Sequence, residues 1–323
     1  MNPVTVRFRK WAGPPGIDTR FLCELVTLAT GRDTLIVDDP NVNVDIQFED
    51  VYGDRELPKL ESRLYRFISS HTRSGIDFSK SKYVPNQQPS GRSDFKVFFT
   101  GENERPPQGE WDAYLSFDLN SYEGRNVYLP LWWITTTDLL FPTKSPWLGR
   151  EVTLDEMMAD RKSSWASRPK FCVAFIGKAY PFRMHAIAAL SKIEKVQVYG
   201  GIARNTKQTS AETKFELAQE YKFVFCFEND LFPGYVTEKA PEAWATGAVP
   251  LYWGQDRAGY LNPDALINAD TFSSLEEFVS YVSTVNSSKE LWEHHANQKL
   301  LLKRPNVQKI VDLLSEKLAP LKK

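Results

Sequence analysis

Carboxylates, an amide and a lysine are concentrated in Phe227-Glu228-Asn229-Asp230 and, a few residues later, Tyr235-Val236-Thr237-Glu238-Lys239. The apolar run Phe223-Val224-Phe225-Cys226-Phe227 just before them reads as a strand covered on both faces. A Pro-Gly turn follows, and Thr237 is placed to cap a helix from about Glu238 to Thr246. Ligands of open α/β sheets bind at such strand-to-helix turns, where free N–H groups and the positive end of the helix dipole favour a diphosphate. Lys239 would add a full charge, and Glu238 suits a pair of ribose hydroxyls. Spacing alone also allows both as solvated first-turn residues.

Other residues could serve the same chemistry. Arg183 follows a strand and a Pro-containing loop at a helix start, where its guanidinium could grip a diphosphate bidentately. Gly200 and Gly201 end another strand and could let the backbone approach a nucleotide, or simply make a turn. Tyr235 and Asn229 could face a ligand, or serve as packing and turn-capping groups. Glu102, in Gly101-Glu102-Asn103-Glu104, follows a strand at its carboxyl end, where a loop carboxylate could act as a general base. Glu104 competes with it. His71, His185, His294 and His295 have no ligand spacing, the last pair reads as part of a surface helix, and no Asp-x-Asp motif is present, so no metal site is expected. Trp132-Trp133 reads as packing, with sugar stacking as the alternative.

The elements that would position these groups follow a βαβ rhythm. Val4-Phe8, Thr34-Val37, Val44-Phe48, Lys96-Thr100 and Ala113-Phe117 read as strands, and Ser69 to Asp94 as a long surface loop. A second series begins at Phe171-Ile176 and continues through Val196-Tyr199, Phe223-Phe227 and Val249-Trp253, with helices at Phe182-Leu190 and near Thr213 to Glu220. Ser274-Leu275-Glu276-Glu277 is a capping box opening a further helix, and Ser287 to Glu290 repeats the signal. At 323 residues the chain is long for one core, which predicts two domains, 1–145 and 165–300, with a C-terminal helix at 301–323 that could cross back to the first.

Forty basic residues balance forty-one acidic ones, which argues against a nucleic-acid partner; the basic tail reads as a solvated helix face and terminus, with a peripheral membrane or partner contact as the alternative. Cys23, Cys172 and Cys226 form no C-x-x-C pair and read as buried packing residues in a reducing, cytoplasmic setting. No signal peptide is recognised, and the most apolar stretch, Tyr128 to Phe141, is too short to span a bilayer.

The stretch FENDLFPGYVTEKAPEAWATGAVPLYWG resembles the signature of the α-1,3-fucosyltransferase family, which reads FEN, then Y-[IV]-T-E-K, then a helix and VP. FCVAFIGKAYPFR, VYGG, VFFTGENE and Tyr128-Leu129-Pro130-Leu131 extend the likeness over about 96–135 and 171–283. It implies an α/β GT-B fold, two Rossmann-like domains facing each other across a cleft. The first domain would bind a glycan acceptor and the second GDP-fucose, with inversion at the anomeric carbon and no cofactor. It implies Glu102 as the base, with Arg183, Asn229, Tyr235, Glu238, Lys239, Gly200 and Gly201 on the donor side. The chain departs from the pattern at Asp230, where Ser or Thr is common, at Pro241, where Leu or Ile is usual, and before Arg183, where a Ser-Asn pair is absent. A donor with another nucleotide-linked deoxysugar, a non-catalytic glycan-binding protein, and a glycoside hydrolase using Glu102 and Glu238 are the alternatives.

Overall fold

A computed structural model describes residues 2–9, 16–51, 91–107, 109, 111–145, 147–201, 204–205 and 213–322. Most of the expected loop from Ser69 to Asp94 lies outside them; Ser93 and Asp94 open a strand. The chain divides into two compact units, residues 1–129 with 306–323, and residues 130–305.

The first unit holds β1 (Val4–Arg9), β2 (Thr34–Ile36), β3 (Val44–Glu49), β4 (Ser93–Phe99), β5 (Ala113–Ser116) and β6 (Asn126–Tyr128) in one sheet, ordered β2-β1-β3-β4-β5-β6. Every pairing in it is parallel. Helix α1 (Ile17–Thr30) buries Phe21, Leu22, Leu25 and Val26, and ends at Gly31, whose φ of 68° places it in the left-handed region and returns its N–H to Thr27. Helix α9 (Gln308–Lys317) packs on α1 through the buried Ile310, Leu313 and Leu314, and Ser315 Oγ donates to the Ala29 carbonyl at 3.0 Å.

In the second unit β7 (Lys170–Phe175), β8 (Val196–Tyr199), β9 (Tyr221–Phe227), β10 (Val249–Trp253) and β11 (Ile267–Asn268) form a parallel sheet ordered β11-β10-β9-β7-β8. Its helices are α2 (Leu131–Thr135), α3 (Leu154–Met158), α4 (Pro181–Leu190), α5 (Lys214–Ala218), α6 (Lys239–Ala245), α7 (Leu275–Ser287) and α8 (Lys289–Ala296). The central strand β9 is apolar from Phe223 to Phe227, where both faces are covered; Phe171 and Phe223 meet edge to face, and Phe225 stacks on Phe227 at 4.2 Å. Arg161 and Arg168 satisfy carbonyls at helix and strand ends: Arg168 donates to Tyr221 and Thr246, Arg161 to Ala248.

The contacts divide the chain between Leu129 and Pro130 instead of at 145. Trp132 and Trp133 are the reason. Both are buried, and their rings meet Tyr260 of the second unit edge to face at 5.9 and 5.4 Å, so they pack and stack no exposed sugar. Helix α8 is a surface helix with one buried face: Lys289, Glu290, Leu291 and His294 are exposed, while Trp292 and His295 are buried. The three cysteines are free and buried. Among the described residues no helix is long and apolar enough to cross a membrane.

Candidate donor-binding site

In the second sheet the chain runs from β7 outward to β8, then returns to the other side of β7 to make β9. Such a reversal leaves a crevice at the carboxyl ends of the two strands flanking it, the position where open α/β sheets take nucleotides. Most of the residues singled out from the sequence collect at this reversal.

Arg183, on the first turn of α4, is buried and reaches across to the end of β9. One terminal nitrogen donates to the Phe227 carbonyl at 2.6 Å and to Asn229 Oδ1 at 2.8 Å. Its Nε is buried without a hydrogen-bond partner. The guanidinium carbon lies 5.4 Å from the ring of Tyr180 and 5.8 Å from that of Phe182. Burial lowers the Arg183 pKa, with Glu228 pulling the other way. A buried cation with an unmatched donor suits an arriving anion.

The turn after β9 is organised by Glu228, which sequence reasoning passed over. Its carboxylate is wholly buried and accepts from the Thr237 N–H at 2.8 Å and the Thr237 hydroxyl at 2.7 Å. Lys239 Nζ donates to Thr237 Oγ1 at 2.7 Å and lies 3.2 Å from Glu228 Oε2 and 3.6 Å from Glu238 Oε1. Thr237 therefore does not cap α6. The N-cap is Glu238, which makes no side-chain cap bond, and Thr237's hydroxyl is committed to Glu228. Pro241 falls within the first turn of α6, where it sacrifices no intrahelical hydrogen bond.

Burial works against the Lys239 charge, but Glu228 and Glu238 outweigh it and push its pKa up. Burial likewise opposes the Glu238 charge, yet Lys239 and Lys214 hold its carboxyl below the ordinary value. Lys214 is a further residue the sequence reading missed. It pairs at 2.8 Å with Glu242, one turn along α6, whose pKa burial raises and which also accepts from the Ser145 hydroxyl. Neither partner carried a motif, because the pair joins α6 to the short α5 only in three dimensions.

Gly200 and Gly201 follow β8 with φ of 80° and 52°. A Cβ on Gly201 would lie 2.8 Å from the Ile176 carbonyl oxygen and 2.9 Å from that of Gly177, so the turn presses on the end of β7 and demands glycine. Tyr235 is buried beside Arg183 and acts on it electrostatically.

Glu102 lies in the first unit, half-buried just past β4. The Thr100 hydroxyl accepts from its N–H at 3.1 Å and donates to its carbonyl at 3.2 Å, and Glu104 N–H donates to the same carbonyl at 2.7 Å. Asp50, at the end of the adjacent β3, went unnoticed in the sequence. Burial pushes its carboxyl up to about 7, with the charges of Asp18 and Glu102 adding to the effect.

Two Rossmann-like parallel sheets in one chain, the second with Arg183 and Lys239 near its strand reversal, define a GT-B α/β architecture. Residues 165–309, most of the second unit, match the family model described as glycosyltransferase family 10 (fucosyltransferase) C-term. The chain is 27% identical over 272 residues to the Alpha-(1,3)-fucosyltransferase FucT of Helicobacter pylori, covering 75% of this chain and 57% of the relative. It is 28% identical over 225 residues to human 3-galactosyl-N-acetylglucosaminide 4-alpha-L-fucosyltransferase FUT3, covering 64% and 54%. The chain thus spans little more than half the length of these curated relatives. Crystal structures of an alpha1,3-fucosyltransferase share the fold, at TM-scores of 0.69 alone and 0.68 with GDP-fucose, with 21% and 22% identity, each covering 98% of this chain and 90% of the other.

Proposed function

We propose that the protein is an inverting glycosyltransferase that moves L-fucose from GDP-fucose to a hydroxyl of a glycan, in an α-1,3-type linkage. The observation that carries this reading is the cluster of Arg183, Asn229, Glu228 and Lys239, with an unmatched Arg183 Nε, on a second unit most of which matches the family 10 model. Arg183 and Lys239 would hold the diphosphate, and Glu238 the ribose hydroxyls. Asn229, Tyr235, Gly200 and Gly201 would shape the pocket around them. Glu102 would take the proton from the acceptor hydroxyl as that oxygen bonds to the anomeric carbon and the bond to GDP breaks. The leaving diphosphate, with two charges to disperse, is met by fixed cations, which supports a reaction without a divalent metal. The similarity of the relatives suggests galactosyl-N-acetylglucosaminides as the acceptors to try first. Three buried thiols suit a reducing, cytoplasmic compartment.

Replacing Glu102 with Gln tests the mechanism. Turnover of GDP-fucose with a galactosyl-N-acetylglucosaminide panel should fall on the order of a hundredfold, while GDP affinity stays unchanged. Full activity in the variant would remove Glu102 from the chemistry.

A further inference from the structure

At the carboxyl ends of β10 and β11, one strand beyond the donor crevice, the second unit holds a pocket of about 610 Å³. That volume suits a small ligand. Asp256 lines it. Its Oδ2 accepts from the N–H groups of Tyr260 at 2.6 Å and Leu261 at 2.5 Å, while Oδ1 is shut from solvent without a hydrogen-bond partner. A buried acceptor left unmatched is costly until a donor reaches it.

Arg257 also lines the pocket, and Gln255, Asn268 and Asp270 are fixed in advance. Gln255 Nε2 donates to Asp270 Oδ2 at 2.9 Å, and Asn268 Nδ2 donates to the Gly254 carbonyl at 2.9 Å while its Oδ1 accepts from the Asp270 N–H. The apolar wall is the ring pair Phe272 and Tyr281, 5.5 Å apart. His295 Nδ1 must donate to the Asp264 carbonyl at 2.8 Å, so in the neutral ring Nε2 accepts from the Tyr281 hydroxyl at 3.0 Å. Burial lowers the His295 pKa, which favours that neutral ring. The Tyr281 hydroxyl is spent on this contact, leaving its ring as wall.

Carboxylate and amide acceptors opposite two aromatic rings match a pyranose, whose hydroxyls donate and whose C–H face packs on rings. Asp256 and Asp270 bring two negative charges to the pocket against the single Arg257 of its lining, which leaves no excess of cations for a phosphate. We propose that this pocket is a second sugar site, binding one neutral hexose unit separately from the nucleotide.

The test titrates the intact protein with free L-fucose, D-galactose, N-acetyl-D-glucosamine and D-mannose, with and without saturating GDP, by ligand-observed NMR. The titration without GDP does not depend on the donor reading. At least one sugar should bind, and GDP should not displace it. Asp256→Asn keeps a carbonyl oxygen for Tyr260 and Leu261 but puts an N–H2 group where Oδ1 stands. It should weaken the sugar by about tenfold or more and leave GDP affinity and melting temperature unchanged. Thr271→Trp, at the exposed rim, should block the pocket by bulk and serves if Asp256→Asn fails to fold. Absence of binding by all four sugars, displacement by GDP, or unchanged affinity in a folded variant would overturn the proposal.

Discussion

Glu228 and Asp50 are both buried carboxylates at strand ends, and they resolve the cost of burial in opposite ways. Glu228 is surrounded by donors, with Thr237 giving two hydrogen bonds and Lys239 a charge, so its desolvation is offset. Asp50 accepts one N–H, from Val51, and faces two like charges, so it holds its proton up to about pH 7. Its folded pKa lies above the unfolded carboxylate value, so the folded state binds the proton more tightly. Stability is therefore lost as pH rises from about 4 to about 7. Asp50→Asn should accordingly gain stability relative to the parent at pH 8, on the order of 2–4 kcal/mol, with little gain near pH 4. Urea unfolding at the two pH values checks this, and equal differences at both would refute it. Spacing in the sequence finds neither residue, since each acquires its environment from a neighbouring strand or turn, not from its own segment.

At the scale of elements, the strands with continuous apolar runs were legible: β7 to β10 lie within one or two residues of where the sequence places them. β6 and β11, three and two residues long, were not, because so short a run carries no period. The turn before α6 was misread for a different reason. Thr237 has the residue type and position of a cap, but its hydroxyl gives its proton to Glu228 and accepts from Lys239 Nζ in place of a backbone N–H. Glycine positions show the converse, a local sequence whose meaning is tertiary. Gly201→Ala would force a Cβ onto a backbone with φ of 52° and against two carbonyl oxygens of the β7 turn. It should destabilise the protein by about 1–2 kcal/mol or more, measured by thermal unfolding. A change within error would mean that this turn yields freely.

Across the whole molecule, the chain leaves its first unit at Leu129 and returns to it at Asn306. The returning helix α9 seats Ile310, Leu313 and Leu314 on the first unit, each aliphatic worth about 1.5–3 kcal/mol when buried. Ending the chain at Pro305 should therefore lower the melting of the first unit while leaving that of the second in place. Calorimetric scans would show it, and an unchanged profile would contradict the packing described. The two-sheet architecture and the family likeness were legible because they rest on long apolar runs and on one dense motif. The exit point was hidden, because Trp132 and Trp133 reveal their partner only once Tyr260 stands against them. The central claim, a metal-free site for GDP-fucose, is tested most directly by calorimetric titration with GDP, GDP-fucose, GDP-mannose and UDP-sugars, each with and without EDTA. Preferential binding of GDP-fucose, unchanged by EDTA, is the result the account predicts; no binding of any nucleotide, or binding abolished by EDTA, would contradict it.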